Sequence, residues 1–278
     1  MSEARESGVA RLAGRGVDLA YGWDGDPAAP VLVLVNGLLT DRSSWARHLP
    51  AFTSAYRCLT YDCRGQGASS KPDHPYAAQL HADDLIALLD HLAVDRAAVV
   101  GLSNGGAASL CAAADHPGRI VALAVSGAYA HVDPLLRAKL SSWVRAMAAG
   151  GPALRFDVAT PWVWGGRFLA DNLEGLLSFR ERGVGMPQRP VENLIEGAMI
   201  HDVRDRLAKI RAPTLVTVGE EDVLTPPALS RAIAGAVPGA RLEIVEGRGH
   251  AAALEDVAGF CGQIRRFLDP IVLGAAAR

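Results

Sequence analysis

Aromatic residues are scarce, at 6% of a 278-residue chain that is 50% hydrophobic. The core is therefore expected to consist mainly of Ala, Val, Leu and Ile. Neither sign of charge dominates: 28 Lys and Arg face 30 Asp and Glu, a formal net of −2. No run of Lys or Arg supplies a local basic patch, so no nucleic-acid partner is expected. Cysteine is sparse as well. Cys58, Cys63, Cys111 and Cys261 form no Cys-x-x-Cys pair. A chain of this size can bury roughly three quarters of its unfolded surface and needs no disulfide framework. Free thiols in a reducing compartment are the expectation. No uncharged apolar stretch reaches the ~18 residues of a membrane span, and Met1–Arg15 lacks the apolar segment of a signal peptide. A soluble cytoplasmic protein is expected, monomer or homodimer, without a membrane partner.

What is present argues for an ordered α/β domain. Half-apolar composition excludes global disorder. Val31–Val35 is a continuous apolar run of strand length without alternation, the pattern of a strand buried on both faces. Arg57–Tyr61, Ala97–Gly101, Ile120–Ser126, Leu215–Val218 and Arg241–Val245 read the same way. Helical patterns lie between them at Ser44–Phe52, Tyr76–Leu92, Asn104–His116, Pro227–Ala236 and Ala251–Leu268. Such alternation predicts a doubly wound, mostly parallel sheet with helices on both faces. The alternation fails over 131–211, which contains no convincing strand but six of the sixteen aromatics: Trp143, Phe156, Trp162, Trp164, Phe168 and Phe179. A helical insertion is expected there. The core domain is then assigned to 1–130 and 212–278, an aliphatic scaffold interrupted by an aromatic segment.

Gly101-Leu102-Ser103-Asn104-Gly105 directly follows one of these strands and opens a helix. This is the setting of a nucleophile elbow, a sharp strand-to-helix turn that presents a serine. A serine hydroxyl is a weak nucleophile, so a base must adjoin it and a carboxylate must orient the base. Both are expected after later strands, acid first. Leu215–Val218 leads into Gly219-Glu220-Glu221-Asp222, and Arg241–Val245 leads into Glu246-Gly247-Arg248-Gly249-His250. Loops at the carboxyl ends of parallel strands converge on one crevice. Ser103, Asp222 and His250 are therefore the candidate catalytic residues. Glu220 and Glu221 are alternatives for the acid. His48, His74, His81, His91, His116 and His201 are poorer candidates for the base, since none lies in the loop after the last strand. The oxyanion of a tetrahedral intermediate needs backbone donors. The N–H groups of Leu38, in the loop after Val31–Val35, and of Asn104, at a helix N-terminus, are assigned to it.

These motifs resemble the α/β-hydrolase superfamily from about Val17 to Leu268. The blocks that carry the resemblance are Asn36-Gly37, Asp62 to Ser69, Gly101 to Gly106, Gly219 to Asp222, and Gly249-His250. The resemblance implies that the Asp62 block braces the oxyanion loop. It also implies that 131–211 is a helical cap, or lid, that walls the substrate site. The chain is most similar in style to small lactonases, esterases and cofactor-free haloperoxidase-like members. Many members carry His-Gly where this chain has Asn36-Gly37, which alters the polarity of the pocket. Aspartate-nucleophile members such as epoxide hydrolases are disfavoured by Ser103.

The expected activity is hydrolysis of an ester, thioester or lactone of a small, largely apolar substrate. Asn36, Gly37, Trp143, Trp162, Trp164, Phe168 and Met186 are the candidate substrate contacts. An acyltransferase, a perhydrolase or a C–C bond hydrolase could use the same triad, and a ligand-binding protein with slow turnover is a third class. No His-Glu-x-x-His occurs, His201-Asp202 is too sparse for a metal, and no phosphate-binding loop is present. No cofactor and no metal are expected.

Overall fold

A computed structural model of the chain describes residues 6–182 and 187–276. One sheet contains β1 (Glu6–Leu12), β2 (Val17–Asp24), β3 (Val31–Val35), β4 (Arg57–Tyr61), β5 (Ala97–Leu102), β6 (Ile120–Ser126), β7 (Thr214–Gly219) and β8 (Arg241–Val245). Their order is β1-β2-β4-β3-β5-β6-β7-β8. Strands β3 to β8 pair in parallel, while β1 and β2 are antiparallel at one edge. The parallel part is the doubly wound sheet expected from the sequence. The antiparallel edge is an addition: Glu6–Leu12 has no clean alternation, and its Val9 is 56% exposed. That strand exists because β2 offers it a hydrogen-bonding edge, not because of its own apolar pattern.

The helices are α1 (Leu49–Phe52), α2 (Ala78–His91), α3 (Asn104–Asp115), α4 (Pro134–Val163), α5 (Gly166–Arg182), α6 (Gln188–Met199), α7 (Pro227–Ala236), α8 (Ala252–Glu255) and α9 (Val257–Ala276). Two expected helices are divided. Ser44–Phe52 becomes a 3-10 turn at Arg42–Trp45 followed by α1. Ala251–Leu268 breaks at Asp256, which leaves helical geometry and accepts the Gly259 N–H with its side chain, capping the start of α9.

Continuous apolar strands feed both faces of the sheet. Val33, Val35, Leu59, Val99, Val125 and Val216 meet α2, α3 and α7 in one core. Leu32, Leu34, Cys58, Val100, Ala124 and Leu215 meet α1 and α9 in the other. Period-2 geometry sends successive residues to opposite sides, so both sides must be apolar. The expectation of an aliphatic scaffold needs correction. The largest wholly buried side chains are Trp45, Tyr56, Tyr61, Tyr76, Tyr129 and Phe52, all outside 131–211. They fasten helices and loops to the sheet. Tyr56, for example, donates to Asp269 of α9 at 2.7 Å. Each ring fills a wider gap than an aliphatic side chain does, and the Tyr56 hydroxyl adds a polar tie.

Between β6 and β7, the described residues form α4, α5 and α6 and no strand. Gly150 and Gly151 break α4 into two helices. A bridge between His131 and Asp202 joins the two ends of this segment. A third apolar cluster lies where it meets the sheet domain, combining Trp143, Ala159, Ile195 and Leu224 with Leu38, Leu39 and Ala107. Among the described residues no helix is long and apolar enough to cross a membrane. All four cysteines are free and buried.

Candidate active site

The winding of the sheet reverses between β3 and β5, so the loops leaving their carboxyl ends face one crevice. Ser103 stands in that crevice between β5 and α3 with φ 52° and ψ −118°, a conformation that strains any residue with a Cβ. Its N–H donates to Ser126 O at 2.8 Å, and its carbonyl accepts from Ala107 N at 3.0 Å. Both bonds hold the turn. Gly105 is required by close approach: a Cβ there would lie 2.5 Å from Asn36 O and 2.6 Å from Val35 O. The helix can thus start directly against the loop after β3.

The loops after β7 and β8 bring the other two residues. Ser103 O–H donates to His250 Nε2 at 2.9 Å, and His250 Nδ1–H donates to Asp222 Oδ2 at 2.8 Å. The Asp222 side chain is fully buried and that of His250 is 9% exposed. Asp222 Oδ1 also accepts from Leu224 N at 3.0 Å and Thr225 N at 2.8 Å. A carboxylate held by several N–H groups stays in one rotamer. The alternatives for the acid point elsewhere. Glu220 accepts from Gly247 N at 3.1 Å and Glu221 from Gly166 N at 2.7 Å, both from exposed positions.

Two residues beside this line were not anticipated. Thr225 Oγ1 lies 2.8 Å from Asp222 Oδ2, 2.9 Å from His250 Nδ1 and 2.9 Å from Gly127 O. Its single proton serves one of the two oxygens at a time. Gly127 has φ 58°, and a Cβ there would sit 3.1 Å from the imidazole ring. Nothing local marks either residue. Thr225 follows Asp222 by three positions, as in an Asx turn, which is the one signal available.

The loop after β3 is braced from within. Asn36 Nδ2 donates to Thr40 O at 2.8 Å, Gln66 Oε1 accepts from Thr40 N at 3.2 Å, and Asp62 Oδ1 accepts from Arg42 N at 2.7 Å. Asn36 is 1% exposed, so its side chain supports the loop and does not face a substrate. Gly37 does approach the serine, with its would-be Cβ 3.3 Å from Ser103 Cβ. The N–H groups of Leu38 and Asn104 donate to no acceptor among the described residues. The Asn104 side chain accepts instead from Tyr129 O–H at 2.8 Å. Arg64 of the same block makes a two-pronged pair with buried Asp84 at 2.7 Å, anchoring the turn to α2.

The aromatic candidates form two pairs. Trp143 stacks on Trp162 with centroids 6.4 Å apart, and Trp164 on Phe168 at 5.1 Å. The first pair shares an apolar cluster with Leu38 and Leu39. The second adjoins the histidine loop, where a Cβ on Gly249 would meet the Trp164 carbonyl carbon at 2.6 Å. Glu255 ties the same region together by accepting from Gly165 N at 2.9 Å and Gly249 N at 3.1 Å. Met186 lies outside the described residues. No group of three or more His, Cys, Asp or Glu that could hold a metal occurs among the described residues.

This geometry can be set beside known proteins. The model of the α/β hydrolase fold matches residues 30–257. The chain belongs to the α/β hydrolase fold family. It is an enzyme of that family. The chain is 30% identical over 90% of its length, and 97% of the relative's, to "Putative carbamate hydrolase RutD" of Azorhizobium caulinodans. It is 29% identical over 84% of its length, and 87% of the relative's, to 3-oxoadipate enol-lactonase 2 of Acinetobacter baylyi. The crystal structure of the enol-lactonase from Burkholderia xenovorans LB400 superposes with a TM-score of 0.83. It is 30% identical and covers 91% of this chain and 97% of that one. α/β hydrolases share a sheet and vary in their inserted segments, so the site must say what each does.

Proposed function

We propose that this hydrolase cleaves an ester, thioester or lactone of a small, largely apolar substrate through an acyl-enzyme on Ser103. The observation that carries this reading is the unbroken line Ser103 Oγ–His250–Asp222, at 2.9 and 2.8 Å, on a strained elbow. His250 Nε2 takes the serine proton as Oγ attacks the carbonyl carbon, and Asp222 stabilises the imidazolium and holds the ring. The N–H groups of Leu38 and Asn104 receive the oxyanion. The imidazolium returns its proton to the leaving oxygen or sulfur. A water, deprotonated by the same nitrogen, then attacks the acyl-enzyme and releases the acid. The segment 131–211 acts as the cap, and Trp143, Trp162, Trp164 and Phe168 contribute its apolar wall. The two names among the relatives, an enol-lactonase and a carbamate hydrolase, denote the same acyl transfer to water with different leaving atoms.

A serine-directed phosphonate should add its mass to Ser103 and abolish turnover. Ser103→Ala should lower kcat by on the order of 10⁴–10⁶, with His250→Ala similar and His201→Ala mild. A Ser103→Ala protein that keeps more than about a tenth of the activity on graded esters, thioesters and lactones overturns the proposal.

A further inference from the structure

Arg155 is a guanidinium inside the inserted segment that no described residue neutralises. It is 8% exposed, its Nε is buried without a partner, and it makes no hydrogen bond or ion pair with any described residue. Burial lowers its pKa to about 10, and no described carboxylate offsets it. Buried arginines are ordinarily paired, because an isolated charge is expensive to desolvate.

Its place on the helix says what faces it. In the second half of α4, Leu154, Asp157 and Pro161 are exposed, whereas Arg155 and Ala159 are buried and Val158 and Trp162 half-buried. Positions 155, 158, 159 and 162 follow the i, i+3, i+4, i+7 spacing of one helix face. Val158, Ala159 and Trp162 on that face pack in the cluster that contains Leu38 and Leu39 of the oxyanion loop. The C-terminal end of α4 meets the histidine loop, where Val163 O accepts from Ala251 N at 2.9 Å. Arg155 lies eight residues before Val163, about 12 Å of helix rise. The opposite face carries its own ion pair, Asp157 with Arg180 at 2.7 Å, so the acidic residue on this stretch is already engaged away from Arg155.

We propose that Arg155 binds a carboxylate at the far end of the substrate, so that the site takes ω-carboxylated esters or lactones. The apolar wall then covers the middle of the substrate, and the guanidinium fork receives the carboxylate in its two-pronged geometry. This deepens the hydrolytic reading and rests on it for the reacting end only.

Binding and turnover separate the two. The binding arm titrates linear dicarboxylic acids of four to ten carbons, and their monomethyl esters, into Ser103→Ala protein by calorimetry. A diacid within that series should bind at least about tenfold tighter than its monomethyl ester, and adding Arg155→Met should erase the difference. The kinetic arm compares kcat/KM for aryl half-esters of these diacids with their neutral methyl diesters. That ratio should fall at least about tenfold in Arg155→Met and partly recover in Arg155→Lys. Thermal unfolding should show Arg155→Met folded, with Tm equal or higher, because an unpaired buried charge is removed. Carboxylate preference in binding without ester turnover supports Arg155 and overturns the hydrolytic reading. Ester turnover with an unchanged preference in Arg155→Met, or a diacid bound no tighter than its monomethyl ester, overturns the role of Arg155.

Discussion

The immediate surroundings of Ser103 and the inserted segment satisfy their polar groups differently. Around Ser103, nearly every polar atom has a partner: Asp222 accepts from two backbone N–H groups and an imidazole, and the loop after β3 is held by Asn36, Gln66 and Asp62. In the insertion, Arg155 and the indole N–H of Trp143 are buried without a partner among the described residues. Trp143 stacks on Trp162 within the apolar cluster where the insertion meets the sheet domain, and Trp164 stacks on Phe168. A site that must hold reacting atoms within about 0.5 Å needs over-determined geometry. The insertion, proposed above as the substrate wall, leaves valences open.

Breaking the rigid side should be the most damaging. Gly105→Ala places a Cβ 2.5 Å from Asn36 O, so either α3 or the oxyanion loop must shift. A displacement of that size should lower kcat by on the order of 10². Strain of roughly 1–3 kcal/mol should lower Tm by several degrees. Steady-state kinetics and a thermal melt on one preparation check both. An unchanged kcat would mean that the loop is softer than the close approach implies.

A second prediction concerns two buried histidines, one in the sheet domain and one in the insertion. His81 of α2 has no partner on either ring nitrogen, and His201 meets only Tyr129 O at 3.2 Å. Burial lowers the pKa of each to about 4. The unfolded chain binds these protons near pH 6.5 and the folded chain does not. Stability is therefore complete above about pH 6.5 and falls as pH drops towards 4, by roughly 2–3 kcal/mol per histidine. His81→Phe should flatten the dependence in urea melts between pH 7 and pH 4.5. An unaltered slope removes His81 from the account. His201→Phe should also cost stability at pH 7, since it leaves Tyr129 O unpaired.

The mildest change tests the adaptable side. Trp162→Ala opens space beside Trp143 in the cluster that holds Leu38 and Leu39. KM for long acyl chains should rise by about threefold to tenfold with kcat nearly unchanged, as expected when contacts common to ground and transition states are lost. A large fall in kcat with unaltered KM would instead place Trp162 among the groups that set the reacting geometry.

Legibility divided along the same line. Gly101 to Gly105 could be read because a strand, a tight turn and a helix start are local events, each with its own residue preference. Asp222 and His250 could be read because strands ending in a parallel sheet send their loops to one edge, whatever else the fold does. Thr225 and Gly127 could not, since their importance arises from lying 2.9 and 3.1 Å from an imidazole delivered by a distant loop. The sequence places Asn36 among the pocket candidates, whereas its amide turns inward to Thr40. Only the path of the loop decides that direction.

The amino-acid order alone determined the parallel sheet, the elbow and the order of serine, acid and histidine, because periodicity and turn chemistry act over a few residues. The tertiary structure decided which charges have partners. Arg155 and Asp157 sit two residues apart in one helix. One is buried without a partner among the described residues; the other is exposed and paired with Arg180. A helix rotates about 100° per residue, so two positions carry a side chain to the opposite face. What waits on each face is settled by packing between segments far apart in the chain.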